Sequence, residues 1–118
     1  MALYAEINGY PGPKHALEMK DELGLTKEQI KKTESLINDI NVSATVKGQD
    51  VIEAEEDLNR SFATEKITER TLRTKLEKIG KLRAELKFMH LQAHLKMKQI
   101  LSPNQIARYK ELRAHEGH

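Results

Sequence analysis

The apolar positions of this chain fall seven apart in two long runs. The first run is Ile30, Ile37, Ala44, Val51 and Leu58, with Ile40 and Ala54 on a companion seam that Thr33 and Lys47 weaken. The second is Leu72, Ile79, Leu86, Ala93 and Ile100, with Leu76, Arg83, His90 and Met97 beside it. A seven-residue repeat places one stripe of each helix against a partner and gives a shallow left-handed supercoil. The spacing therefore predicts two long helices, about Thr26–Ser61 and Thr68–Ile100, folded back on each other around a turn near residue 65. Each would be roughly 50 Å long at 1.5 Å per residue. Gly48, in mid-helix, costs about 1 kcal/mol relative to Ala and is a candidate bend.

Helix starts are written twice in the same form. Leu25-Thr26-Lys27-Glu28-Gln29 precedes Ile30, and Leu101-Ser102-Pro103-Asn104-Gln105 precedes Ile106. In each, the hydroxyl caps the third helical amide, the Gln reaches back to the cap amide, and Leu and Ile form a hydrophobic staple. Pro103 takes the first helical position, where its missing N–H costs nothing. Thr68-x-x-Thr71 lacks the Glu or Gln that completes such a box, and Thr64 is an alternative cap. Tyr10-Pro11-Gly12-Pro13 is turn chemistry, so residues 1–13 are expected as a non-helical arm. A short helix follows over Lys14–Leu23 and stops at Gly24. A last helix runs to Arg113, and residues 114–118 form a flexible tail. The expected fold is all-α, a single domain over residues 14–113. It has four helices, a long antiparallel hairpin with a short helix at either end. Phe88, Leu91 and Leu95 lie outside the hairpin seam and need cover from the short first and last helices, from a second subunit or from a client; a homodimer is the expected assembly.

Composition narrows the chemistry. Of 118 residues, 32% are charged, yet the formal net charge is only +2. The basic residues of 66–87 alternate with Glu69, Glu77 and Glu85, a solvated helix face rather than a phosphate track, so no nucleic-acid partner is expected. The absence of Cys excludes disulfides and thiolate metal sites. No stretch approaches a membrane span, so no membrane insertion is expected, and Met1-Ala2-Leu3-Tyr4 lacks the pattern of a signal peptide. Ser35, Ser43, Ser61 and Ser102 have no His–Asp partners, and Gly9, Gly12 and Gly24 do not space as a phosphate loop, so no enzymatic activity is expected. Glu53, Glu55, Glu56 and Asp57 read as a solvated acidic face.

His90 and His94 are the sharpest candidates for chemistry. Residues at i and i+4 share a helix face, so both imidazoles reach one ion, and Met97 one turn on adds a thioether. The wheel turns His90 inward and leaves His94 on the flank. Antiparallel pairing brings the region of Ile40 opposite His90, with Glu34 and Asp39 the nearest carboxylates. The first helix offers His15, Glu18 and Met19. His115 and His118 read as part of a functionally irrelevant tail, with weak chelation the lesser alternative.

The doubled Leu-Thr-x-x-Gln pentad, its order and the long hairpin between resemble the LTxxQ-motif envelope proteins of the Spy and CpxP type. That group includes zinc-resistance-associated and heavy-metal-resistance or sensor proteins. The resemblance runs from about Tyr10 to Arg113, and His90-Leu91-Gln92-Ala93-His94-Leu95 before the second pentad is most like its metal-resistance branch. It implies a non-enzymatic, often dimeric protein of the periplasm, exported with a signal peptide that is then removed. Such a protein binds, senses or buffers a metal ion in the envelope stress response. Zn, Ni, Co or Cu would be held by His15 and Met19, Glu34, and His90 with His94 and Met97. Met19 stands where the branch has His. The other activity the resemblance implies is that of an ATP-independent chaperone, a holdase that takes unfolded clients on Phe88, Leu91 and Leu95.

Overall fold

A computed structural model describes residues 3–116. All regular structure among them is helical, in six helices: α1 (Leu3–Ile7), α2 (Pro13–Glu18), α3 (Lys20–Leu23), α4 (Lys27–Ala63), α5 (Glu69–Ile100) and α6 (Pro103–Glu116). Three boundaries differ from the sequence reading. The arm is not wholly non-helical, because Leu3–Ile7 makes one helical turn. The short helix is broken in two at Met19, whose ψ of 19° departs from the helical value. The last helix continues past Arg113 to Glu116, and Gly117 and His118 lie outside the described residues.

The starts of α4, α5 and α6 are written in side-chain chemistry. Thr26 and Ser102 accept the first intrahelical bonds, from Ile30 and Ile106, through their carbonyls. Their hydroxyls accept the Gln29 and Gln105 amides (3.1 and 3.2 Å), and the two Gln side chains accept the cap amides in return (2.9 and 2.8 Å). At Thr68 a second Thr does what Gln does elsewhere. The Thr71 hydroxyl accepts the Thr68 amide at 2.9 Å, and the Thr68 hydroxyl accepts the Thr71 amide at 3.1 Å. Helix α3 ends at Gly24 (φ 65°), where the Leu25 amide bonds back to Lys20 and that of Gly24 to Asp21. Helix α4 ends in the same motif, Lys66 to Ser61 and Glu65 to Phe62, but its left-handed residue is Glu65 (φ 56°).

The chain packs as two compact units. Among the described residues, the first comprises 3–41 and 90–116. Its core is Ala16, Met19, Leu23, Leu36, Ala93, Met97, Leu101 and Tyr109, with Leu25, Ile40, Ile100, Ile106 and Leu112 packed around it. The two pentads meet here. The Gln29 side-chain amide donates to the Ile100 carbonyl (3.0 Å) and the Gln105 side-chain oxygen (2.8 Å). The Gln105 amide answers to the Gln29 oxygen (3.0 Å) and to the carbonyls of Leu23 and Gly24 (3.4 Å each). Each Gln thus caps its own helix and pairs with its counterpart. It also takes up a carbonyl beside the start of the other helix, where the last carbonyls of a helix lack partners.

The second unit, Val42–Met89, is the antiparallel pairing of the far part of α4 with the near part of α5. Val51, Ala54 and Ile79 are its buried apolar side chains. Lys47–Glu85 (2.7 Å) and Asp57–Lys75 bridge the helices, both pairs symmetric about residue 66, one residue from the turn centre that the repeat predicts. The bond from Lys75 holds the Asp57 carboxyl below its ordinary range. That from Lys47 does the same for Glu85, and Lys47 is raised in turn. Gly48 lies within α4 without interrupting it.

Candidate functional site

The residue that organises the chemistry of the first unit is Glu6, on α1. It is buried, and its carboxylate accepts three bonds. His15 Nδ1 on α2 donates at 2.8 Å, and the Tyr109 hydroxyl on α6 donates at 3.0 Å, both to Oε1. Arg113 on α6 donates to Oε2 at 2.8 Å. The Tyr109 hydroxyl in turn accepts the Gly12 amide at 3.2 Å. Burial pushes the Glu6 carboxyl up, but the bonds from His15, Tyr109 and Arg113, with the charge of His15, outweigh it and hold the group below the ordinary carboxylate range. Burial and then the neighbouring Glu6 charge push the Tyr109 phenol well above its ordinary range. Tyr109 is therefore held as a hydrogen-bond relay, a donor to Glu6 and an acceptor from Gly12.

Gly12 has ordinary extended geometry (φ −78°, ψ 138°). Its constraint is steric. A Cβ there would sit 2.7 Å from Glu6 Oε1 and 3.2 Å from His94 Cε1. Glu6 and His94 thus close on the same point of backbone from two elements.

The structure inverts the predicted orientation of the histidine pair. His94 is buried, 7% exposed, and its Nδ1 donates to the Tyr10 carbonyl at 2.9 Å; His90 is only half-buried. The wheel placed His94 on the flank of α5, and the flank is where residues 10–12 pack. The cover comes from the arm rather than from the hairpin. Lys98, also on α5, lies 4.1 Å from the centre of the Tyr10 ring and adds a cation–π contact.

The remaining predicted ligands go to other tasks. Met97 is fully buried in the core, with the Thr33 hydroxyl 3.7 Å from its sulfur while donating to the Gln29 carbonyl at 2.8 Å. Met19 is core as well. His15 is bonded to Glu6, while Glu34, Glu18 and Asp39 are exposed. The side chains of His115 and His118 lie outside the described residues. Among the described residues no three His, Asp or Glu side chains form a metal-holding group. The structure brings together His15, Glu6 and the flank of His94, which the sequence reading did not join.

Phe88 and Leu95 are exposed as expected, at 61% and 52%, whereas Leu91 is half-buried. The second unit adds Val42, Val46, Ile52, Phe62 and Leu76, each about half exposed or more. No described helix is long and apolar enough to cross a membrane. Comparison of the chain with protein-family models, with curated proteins and with solved structures finds no match.

The sequence reading missed Glu6, Tyr109 and Arg113. Glu6 sits in a segment read as a non-helical arm, and Tyr109 and Arg113 belong to a helix whose weak apolar pattern marks no face. The one available signal was Gly12 between two prolines, a position where backbone comes close to something.

Proposed function

We propose that this protein is a non-enzymatic, ATP-independent holdase of the Spy-like kind, working as a homodimer in the periplasm on unfolded clients. The observation that carries this reading is the imbalance within the second unit. Val51, Ala54 and Ile79 are buried there, while Val42, Val46, Ile52, Phe62, Leu76 and Phe88 stand exposed among lysines, arginines and glutamates. Apolar side chains in a charged surround bind extended, unfolded segments weakly and in many registers, as a holdase requires. Metal binding rests on the His90/His94 spacing and the family resemblance, and four of the side chains it would use are engaged otherwise: Met19 and Met97 pack in the core, and His15 and His94 are hydrogen-bonded within the first unit.

Light scattering of an aggregating client tests the proposal. Stoichiometric protein should suppress scattering without nucleotide and equally in the presence of a chelator. The triple variant Val46→Ser/Ile52→Ser/Phe88→Ser should lose most of the protection while melting within a few degrees of wild type, because substitutions at exposed sites cost little stability. Unchanged scattering with the wild-type chain, or full protection by the triple variant, sinks the reading. Protection abolished by chelator would restore a metal to the mechanism.

A further inference from the structure

Residues 3–12 lie on the first unit in the manner of a bound peptide. One charged anchor, Glu6, enters a recess made by His15, Tyr109 and Arg113. Two backbone groups finish the docking: the Tyr10 carbonyl accepts from His94, and the Gly12 amide donates to Tyr109. Of the segment's larger side chains, Tyr4 and Ile7 are more than half exposed, while Pro11 is fully buried and the Tyr10 ring lies under Lys98. The recess, by contrast, belongs to the well-packed part of the unit, because Tyr109 is fully buried within its core cluster. Recognition by one carboxylate in an Arg–Tyr–His recess, with main-chain bonds four and six residues further on, is the chemistry of a peptide site.

We propose that the surface of α2, α5 and α6 beneath residues 3–12 is a carboxylate-anchored peptide site. The chain fills it with its own segment, and it accepts the same segment from a second copy of the chain once the resident one is loosened. The Glu6 carboxylate is the specificity determinant. Covalent linkage gives the resident segment an effective concentration in the millimolar range, so it excludes a free competitor in the wild-type chain. This proposal is independent of the holdase reading, which rests on the second unit.

The probe is a fluorescently labelled peptide of residues 3–12, followed by anisotropy against the full chain. Glu6→Gln in the full chain removes the anchor charge and keeps the shape. It should bind the probe at least about tenfold more tightly than wild type, and Glu6→Gln/Arg113→Ala should lose that gain. A probe carrying Gln in place of its Glu should not bind. Equal binding to wild type and Glu6→Gln, or none to either, overturns the proposal, as does loss of the helical circular-dichroism signal in Glu6→Gln at neutral pH. The unmodified chain gives a separate reading. The amides of Tyr10 and Gly12 should exchange with solvent at least about tenfold faster than those of Met97 and Tyr109, and exchange only by global unfolding refutes a separable segment.

Discussion

At Gly12 the backbone asks for nothing unusual, and space decides the residue. A methyl group would press on Glu6 Oε1 and on the edge of the His94 ring. Neither can retreat easily, since the carboxylate is held by three donors and the imidazole by the Tyr10 carbonyl. Gly12→Ala should therefore cost about 1–3 kcal/mol, the usual range for overpacking, in urea unfolding. Tyr109→Phe removes one donor from Glu6 and the acceptor of the Gly12 amide, and about 1–3 kcal/mol is again expected. The acid limb of stability follows from Glu6. Its folded carboxyl titrates below the ordinary range, so the unfolded chain takes up the proton first as pH falls. The contribution is complete above the ordinary glutamate value of about 4.3 and disappears as pH drops through the folded value. Melting temperature should thus fall less steeply between about pH 5 and 3 in Glu6→Gln than in wild type. An identical slope would mean that the carboxylate contributes nothing at this site.

At the scale of elements, helix boundaries were legible in the sequence wherever a short-range device writes them. Thr26 with Gln29, Ser102 with Gln105, and Gly24 carry their instructions within a few residues. Thr71 acting as the return arm of a box was harder to read, because a Thr hydroxyl is short and reaches the Thr68 amide only in this geometry. The orientation of His94 was not legible at all. Helical-wheel arithmetic knows the α5 axis and its hairpin partner, but not a segment more than eighty residues away in sequence that covers its flank. The site around Glu6 was hidden for the same reason, its members being drawn from α1, α2 and α6. Two predictions belong at this scale. Gly48 and Gly80 lie inside helices with nothing near a new Cβ, so Gly48→Ala and Gly80→Ala should each stabilise by about 0.5–1 kcal/mol. Glu65 holds a left-handed conformation that favours glycine, and Glu65→Gly should raise the melting temperature by relieving roughly 1 kcal/mol of strain.

For the molecule as a whole, the two compact units differ in how much they bury. The first has a cluster that includes fully buried Met97 and Tyr109, and the second has Val51, Ala54 and Ile79 along a two-helix seam. Few buried apolar contacts mean low local stability. Amides of residues 50–80 should exchange faster than those around Met97 and Leu101, as hydrogen exchange read by mass spectrometry would report; uniform protection would show the seam to be sufficient alone. The reciprocal Gln29–Gln105 pair has a consequence for how the chain is made. These side chains are 76 positions apart. At about 5–20 residues per second of synthesis, Gln29 is made roughly 4–15 s before its counterpart exists. Through that interval the nascent α4 carries a helix start whose Gln29 side chain still lacks its distant partners, the Ile100 carbonyl and the Gln105 side chain. The amide pair closes only when the final helix has been translated, so a chain halted before residue 105 cannot pass for a finished one.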